Sequence, residues 1–364
     1  MITSLEQVTP EWLTGVLRDV GVLGPGRVIA AEQRGNDAFN STIGHFTLRY
    51  SDDAPRGAPR ALMLKLNRDH DGASEVGFYT ALLPQHERLS MLVRCYAGAY
   101  DPESGDSFLL LEDVSPTHGP PVRRTELLAG AAVPGEQELD SIVEALARFH
   151  ASWWEHPELG SGVCAVRGWY GNEEQYRAHV DRRQREWRRF IASVGAWFPG
   201  DLAAEYERLL AALPSFWRRF LAARVTTRRN LTLTHGDCYL TQFLIPTVSD
   251  GPVYLIDFQD VSANFGPYDL VYLFATFWTP QQRQEGKRQE RLLRRYHGVL
   301  QACGAGEYRW EQLLEDYKLM VALMLFDPIW NQTSGASQEY WWPKLRNLVG
   351  AYRDLGCAAL LGET

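Results

Sequence analysis

The hydrophobic pattern changes its period once, near Glu112, and that change limits the chain to a fold with two unlike parts. Before it, Val28–Ala30, Gly44–Tyr50 and Ala61–Leu66 alternate like strands, separated by the turn-rich pieces Arg34–Asp37 and Ser51–Pro55. Two further strands are expected near Leu92–Tyr96 and Ser107–Leu111. A helix over Pro10–Val22, announced by Thr9 and Pro10, and another over Ala73–Leu83 break up this region. Asp113–Pro121 is a turn-rich crossing. Beyond it the spacing is helical: about Leu139–Trp154, several helices between Asn172 and Ala223, then Pro280–Cys303, Trp310–Leu325 and Tyr340–Leu361. The strands expected in this second part are only Phe243–Ile245 and Val253–Ile256, a small hairpin around the turn at residues 249–251. The expectation is an α+β chain, with a strand-rich N-terminal lobe over residues 1–112 and a mostly helical C-terminal lobe over residues 113–364.

With 364 residues, 45% of them hydrophobic, the chain can fill two substantial cores. A net charge of −8 speaks against a nucleic-acid partner, which requires a basic face. Cys95, Cys164, Cys238, Cys303 and Cys357 are scattered and odd in number, so neither a disulfide framework nor a zinc site is expected. No basic segment leads into an apolar core at the N-terminus, and no stretch is apolar enough to span a bilayer. The expectation is a soluble, cytoplasmic protein without a membrane partner. Oligomeric state is not readable.

The residues richest in chemistry lie between Leu233 and Gln259. His235, Gly236 and Asp237 form a tight turn bearing a carboxylate; five positions on stands an amide, Gln242; and Asp257 ends the apolar run Val253–Ile256. A carboxylate to accept a hydroxyl proton, an amide oxygen for one metal ion and a post-strand carboxylate for the metals are the parts of phosphoryl transfer, in the order it requires. An Asp beside Gly is also an ordinary turn residue; the company of Gln242 and Asp257 favours the chemical reading. Earlier in the chain, Lys65 alternates out of an apolar strand, where a charge is costly unless it points into a cleft. Glu75, ten positions on, begins a helix, a place its charge would favour without any further role.

On these residues the chain resembles the aminoglycoside phosphotransferase, choline kinase and ecdysteroid-kinase-like group, over at least Val28–Leu273. The resemblance implies a protein-kinase-like fold and transfer of the γ-phosphate of ATP, with Mg²⁺, to a hydroxyl of a small molecule such as an antibiotic, sugar, amino alcohol or other natural product. It implies that Asp237 is catalytic, that Asp257 and Gln242 bind metal, and that Lys65, paired with Glu75, positions the phosphates. Most of the group has Asn where this chain has Gln242. The branch with Gln generally carries His where this chain has Tyr239. The loop holding Gly35, Asn40, Ser41 and Thr42 matches the nucleotide cover, although it has no Gly-x-Gly-x-x-Gly pattern and reads equally as a polar hairpin turn. Backbone groups around Glu112 and Val114 match the adenine-binding hinge. His235 is a structural support, and Asp269 matches the residue that steadies the catalytic loop, though it reads also as a helix-start Asp. Most Trp residues are expected in the core, and the Arg-rich run Arg182–Arg189 on a solvated helix face. Two other readings stay open: a catalytically weak nucleotide-binding scaffold, and a metal-dependent hydrolase using Asp237 and Asp257.

Overall fold

A computed structural model describes the chain apart from residues 35–40, 69, 71, 86–88, 166–170, 249 and 363–364. Gly35 and Asn40 of the expected nucleotide cover therefore lie outside the described residues. The first helix, α1 (Pro10–Asp19), starts as expected: the Thr9 hydroxyl accepts the Trp12 N–H at 3.2 Å. It stops short of Val22, and Gly21 follows at a φ of +73°.

Five strands then form one antiparallel sheet: β1 (Val28–Arg34), β2 (Thr42–Tyr50), β3 (Ala61–Asn67), β4 (Cys95–Tyr100) and β5 (Ser107–Glu112), in the order β1-β2-β3-β5-β4. Leu62, Leu64 and Leu66 of β3 enter a core with Leu13 and Leu17 of α1, Phe46, Leu48 and Leu110. Because side chains alternate along a strand, Lys65 faces the other way. On that side lies α2 (Ala73–Gly77), which continues through a π-helical turn over Phe78–Leu82.

The strands Phe243–Pro246 and Tyr254–Leu255 pair as the expected hairpin, with Phe243 opposite Leu255. Its first strand also pairs with His118–Gly119, and Leu92 bridges to Leu255. These bonds tie the hairpin to the strand-rich part of the chain. The chain divides accordingly into two units: residues 1–119 with 243–261, and residues 120–242 with 262–364.

The second unit is built on α3 (Arg124–Leu128), α4 (Glu136–Ser152), α5 (Glu173–Val194), α6 (Gly200–Phe216), α7 (Ala222–Thr227), α8 (Pro267–Leu270), α9 (Pro280–Gln284), α10 (Arg288–Ala302), α11 (Trp310–Met324), α12 (Asp327–Thr333) and α13 (Gln338–Asp354). The helix expected over Pro280–Cys303 is broken where Gly286 and Lys287 take positive φ. This unit also holds two strands that the pattern does not reveal, Thr232–Thr234 paired with Ser262–Asn264. Three residues are too short for an alternation to be read. Arg183 departs from the expected solvated face: it is buried and bonds Glu186 at 3.0 Å and Asp327 at 3.2 Å. Trp153 and Trp278 are in the core, whereas Trp197 and Trp330 are exposed. All five cysteines are free. Among the described residues no helix is long and apolar enough to cross a membrane.

The approach of α2 to the sheet depends on Gly72. A Cβ there would stand 1.9 Å from the Ser107 Oγ of β5. Gly72→Ala is expected to destabilise the protein by about 1–3 kcal/mol, the usual cost of overpacking. Adding Ser107→Ala should recover part of the loss, because it clears Oγ but leaves Asn67 Nδ2 at 2.9 Å and the Ser107 Cβ at 3.1 Å. Urea unfolding of the two single variants and the double variant checks this; additive losses would show that the two sites do not meet.

Candidate active site

Lys65 sits in β3 opposite Ile43 on one side and Leu109 on the other. Its Nζ donates to Glu75 Oε2 at 2.7 Å and to Asp257 Oδ1 at 2.5 Å. Burial alone would push the Lys65 pKa down. The Glu75 and Asp257 carboxylates outweigh burial and hold it above its ordinary value, so the cation is retained. Glu75 is 1% exposed, and its other oxygen, Oε1, accepts the Phe258 N–H at 3.2 Å. That bond holds the backbone just beyond Asp257, which has φ +70° and ψ 62°, a left-handed conformation rare for a residue other than glycine. The Phe258 ring stacks on Phe78 with centroids 4.3 Å apart and meets Tyr79 edge-on at 6.0 Å. The Lys65–Glu75 pair that the resemblance implies is formed. The third member, Asp257, joins it from 182 positions beyond Glu75.

Ser41 is half-buried, and Thr42 opens β2 opposite Leu66. At the end of β5 the Glu112 N–H is engaged by the Arg94 carbonyl at 2.8 Å. The Val114 carbonyl accepts from the N–H groups of Thr117 and His118 at 3.0 and 2.9 Å. Of the Val114 backbone groups, it is the carbonyl that the turn consumes.

In the helical unit, Asp237 follows Gly236, whose φ of +89° makes the turn. The Asp237 carbonyl accepts the Tyr239 N–H at 3.1 Å, and the Tyr239 carbonyl accepts the Gln242 N–H at 2.9 Å, closing a short 3₁₀ turn over Leu240–Gln242. Asp237 is half-buried, whereas Gln242 is buried. The loop is held from α8. Asp269, fully buried, accepts the N–H of His235 at 2.7 Å and that of Gly236 at 3.0 Å. Its Oδ2 is also 3.0 Å from His150 Nε2 at the end of α4, and the Tyr296 hydroxyl of α10 meets His150 Nδ1 at 2.7 Å. The Thr232 hydroxyl donates to the His150 carbonyl at 2.6 Å. Gly266 leaves room for this chain of bonds, since a Cβ there would lie 2.4 Å from the Tyr296 hydroxyl.

Lys65, Glu75 and Asp257 thus meet in the strand-rich unit, and Asp237, Gln242, His235 and Asp269 belong to one loop system in the helical unit. His150 and Tyr296 were not singled out from sequence. A signal existed: His150 continues the apolar stripe of Val143 and Leu146 on α4, and a histidine on such a stripe needs buried polar partners. Among the described residues no group of three or more His, Cys, Asp or Glu side chains is gathered to hold a metal ion. The oxygens that Asp257 and Gln242 offer are nevertheless hard donors of the kind Mg²⁺ takes.

Three solved structures are similar over nearly the whole chain. A candidate aminoglycoside phosphotransferase from Ralstonia eutropha shares 12% identity, with 97% of each chain covered and a TM-score of 0.52. An aminoglycoside phosphotransferase in complex with GDP and kanamycin shares 16% identity, with 96% of this chain and 99% of that one covered and a TM-score of 0.51. An ethanolamine kinase from Plasmodium vivax shares 10% identity, with 93% and 85% covered and a TM-score of 0.52. These likenesses show a protein-kinase-like phosphotransferase fold, in agreement with the sequence reading. A comparison with curated protein sequences finds no match. The family model described as ecdysteroid kinase-like matches residues 65–305, well over half of the chain, from Lys65 through both Asp237 and Asp257 to α10. The chain belongs to the ecdysteroid kinase-like family of small-molecule kinases.

Proposed function

We propose that this protein transfers the γ-phosphate of ATP to a hydroxyl of a small molecule in an Mg²⁺-dependent reaction. The observation that carries the reading is the contact of the buried Lys65 with both Glu75 and Asp257. A lysine held charged, against a carboxylate that is itself locked in place, suits an anchor for the α- and β-phosphates. Backbone groups near Glu112 and Val114 would bind adenine, with the Val114 N–H as donor because its carbonyl is engaged in the turn. Ser41 and Thr42, with Gly35 and Asn40, would cover the phosphates.

Asp257 and Gln242 would hold Mg²⁺. When bound, the metal supplies neutralisation of the charge shared by the β- and γ-phosphates. Asp237 orients the acceptor hydroxyl and takes its proton as the oxygen attacks phosphorus. Its carboxylate stands on a loop whose two preceding N–H groups are fixed by Asp269, so its position is set before substrate arrives. His235 contributes by shaping that loop. A bare scaffold would have no use for a carboxylate held this way, and a metal-dependent hydrolase would need further ligands gathered close to Asp237.

The acceptor is a small molecule. Asp269 follows Asp257 by only twelve positions, which leaves no length for the activation segment on which a protein kinase docks a peptide. The phosphotransferases of similar fold, named for aminoglycosides and ethanolamine, support the same conclusion.

Asp237→Asn keeps the shape and hydrogen bonding of the side chain but removes the proton acceptor. It should lower kcat by roughly 10²- to 10⁴-fold while ATP affinity and melting temperature stay put; near-normal turnover in the folded variant removes Asp237 from the chemistry. Gln242→Ala should raise the Mg²⁺ concentration needed for half-maximal rate, and Gln242→Asn should keep part of the activity. An unchanged Mg²⁺ titration in the Ala variant would make this side chain structural. With labelled ATP, the label should pass to members of a panel of sugars, sterols and other alcohols; efficient labelling of proteins alone would overturn the small-acceptor reading.

A further inference from the structure

Lys344 is a largely buried lysine to whose ammonium the described residues offer no hydrogen-bond acceptor. It lies on α13 and is 8% exposed. Among the described residues its ammonium makes no hydrogen bond and no ion pair. Its contacts are aromatic: Nζ stands 3.7 Å from the centre of the Tyr340 ring and 5.1 Å from that of Phe277. Asp327, whose carboxyl feels the Lys344 charge, is engaged by Arg183 at 3.2 Å. Ring faces stabilise a cation, but they do not take the place of oxygen acceptors, and the Lys344 nitrogen is not fully buried, so solvent still reaches it. A ligand oxygen can take the place of the water that still reaches it.

The place of Lys344 says which ligand. The Phe277 ring is 5.4 Å from that of Tyr239, two residues beyond Asp237. One turn along α13 from Lys344, the Asn347 side-chain amide donates to the Thr276 carbonyl at 3.2 Å, which fixes α13 against the segment carrying Phe277. The lysine is thereby held two rings away from the loop that bears the carboxylate acting on the acceptor.

We propose that Lys344 is an acceptor-recognition residue: it donates to an oxygen of an uncharged or carboxylated alcohol, and its charge disfavours polycationic acceptors such as aminoglycosides. The proposal rests on the phosphotransferase reading and names the substrate class for it. It also runs against the mild preference for cations that a net charge of −8 suggests. Net charge acts on approach from a distance, whereas an ammonium in a largely buried position acts on the bound molecule.

The test compares wild type with Lys344→Met and Lys344→Arg in two assays. Acceptor-free ADP release reads the nucleotide half, and label transfer from ATP reads the acceptor half. The acceptors are kanamycin, a set of uncharged sugars and sterols, and a set of hydroxycarboxylates. Wild type should label uncharged or carboxylated alcohols and not kanamycin. Lys344→Met should raise the acceptor KM by about tenfold or more, as expected for one lost charge-assisted hydrogen bond, with the KM for ATP and ADP release unchanged; Lys344→Arg should keep much of the affinity. Preferential labelling of kanamycin, an unmoved acceptor KM, a shift in the KM for ATP instead, or ADP release without label in either alcohol class would each overturn the proposal. The preference of wild type among charge classes reads out even where a variant folds poorly. No ADP release from wild type would defeat the phosphotransferase reading itself, and this proposal with it.

Discussion

The carboxylate of Glu75 is the interaction on which the strand-rich unit turns. It is almost completely buried, and both of its oxygens are used, one on Lys65 and one on the Phe258 N–H. Loss of one member of a buried charged pair costs about 3–5 kcal/mol, because the other is left uncompensated. Here the consequence would reach further. The Phe258 bond is made by the residue directly after Asp257, whose left-handed backbone is costly and persists only where its surroundings impose it. The stacking of Phe258 on Phe78, from the π-helical extension of α2, closes the same assembly from the apolar side.

The helical unit uses the same device with another carboxylate. Asp269 accepts the two backbone N–H groups just before Asp237, as Glu75 accepts the one just after Asp257. In both units a buried acid grips peptide N–H groups next to an aspartate proposed for the chemistry. Charge-assisted bonds to main chain are short and directional, so they fix a turn more tightly than apolar packing does. Each acid is in turn held by a basic group: Lys65 in one case, His150 backed by Tyr296 in the other. Preorganisation of this kind suits a reaction in which positioning and electrostatics do most of the catalysis.

Much of this was legible beforehand because the elements involved are long or chemically distinctive. The alternation that exposes Lys65 on the far side of Leu62 and Leu64 is a period-two signal, and Glu75 follows at the start of the next helix. Asp237, Gln242 and Asp257 are conspicuous because a turn, an amide and a strand end come in an order that few other uses require. What was not legible is short or depends on remote partners. The strands Thr232–Thr234 and Ser262–Asn264 are too brief to show alternation. The break in the helix after Pro280 comes from two consecutive positive-φ residues, Gly286 and Lys287, and lysine gives no local warning of that conformation. Arg183 lies in a run of exposed arginines and differs from them only because Asp327 and Glu186 come to meet it.

By itself, the sequence determined the α+β class and the sheet strands with their inward leucines, because each follows from local period; the side chains proposed for the chemistry were singled out by their order along the chain and by the resemblance that order carries. Tertiary structure alone decided which groups share a site. Asp257 joins Lys65 and Glu75 because the hairpin at Phe243–Leu255 pairs with His118–Gly119 and bridges to Leu92, hydrogen bonds between segments more than a hundred residues apart. His150, Asp269 and Tyr296 come together from three separate helices in the same way. Lys344 looks like any helix lysine in the sequence; only its burial against Tyr340 and Phe277 sets it apart. Local pattern carries propensity and polarity, whereas desolvation and pairing are properties of neighbours that the chain supplies only once it has folded.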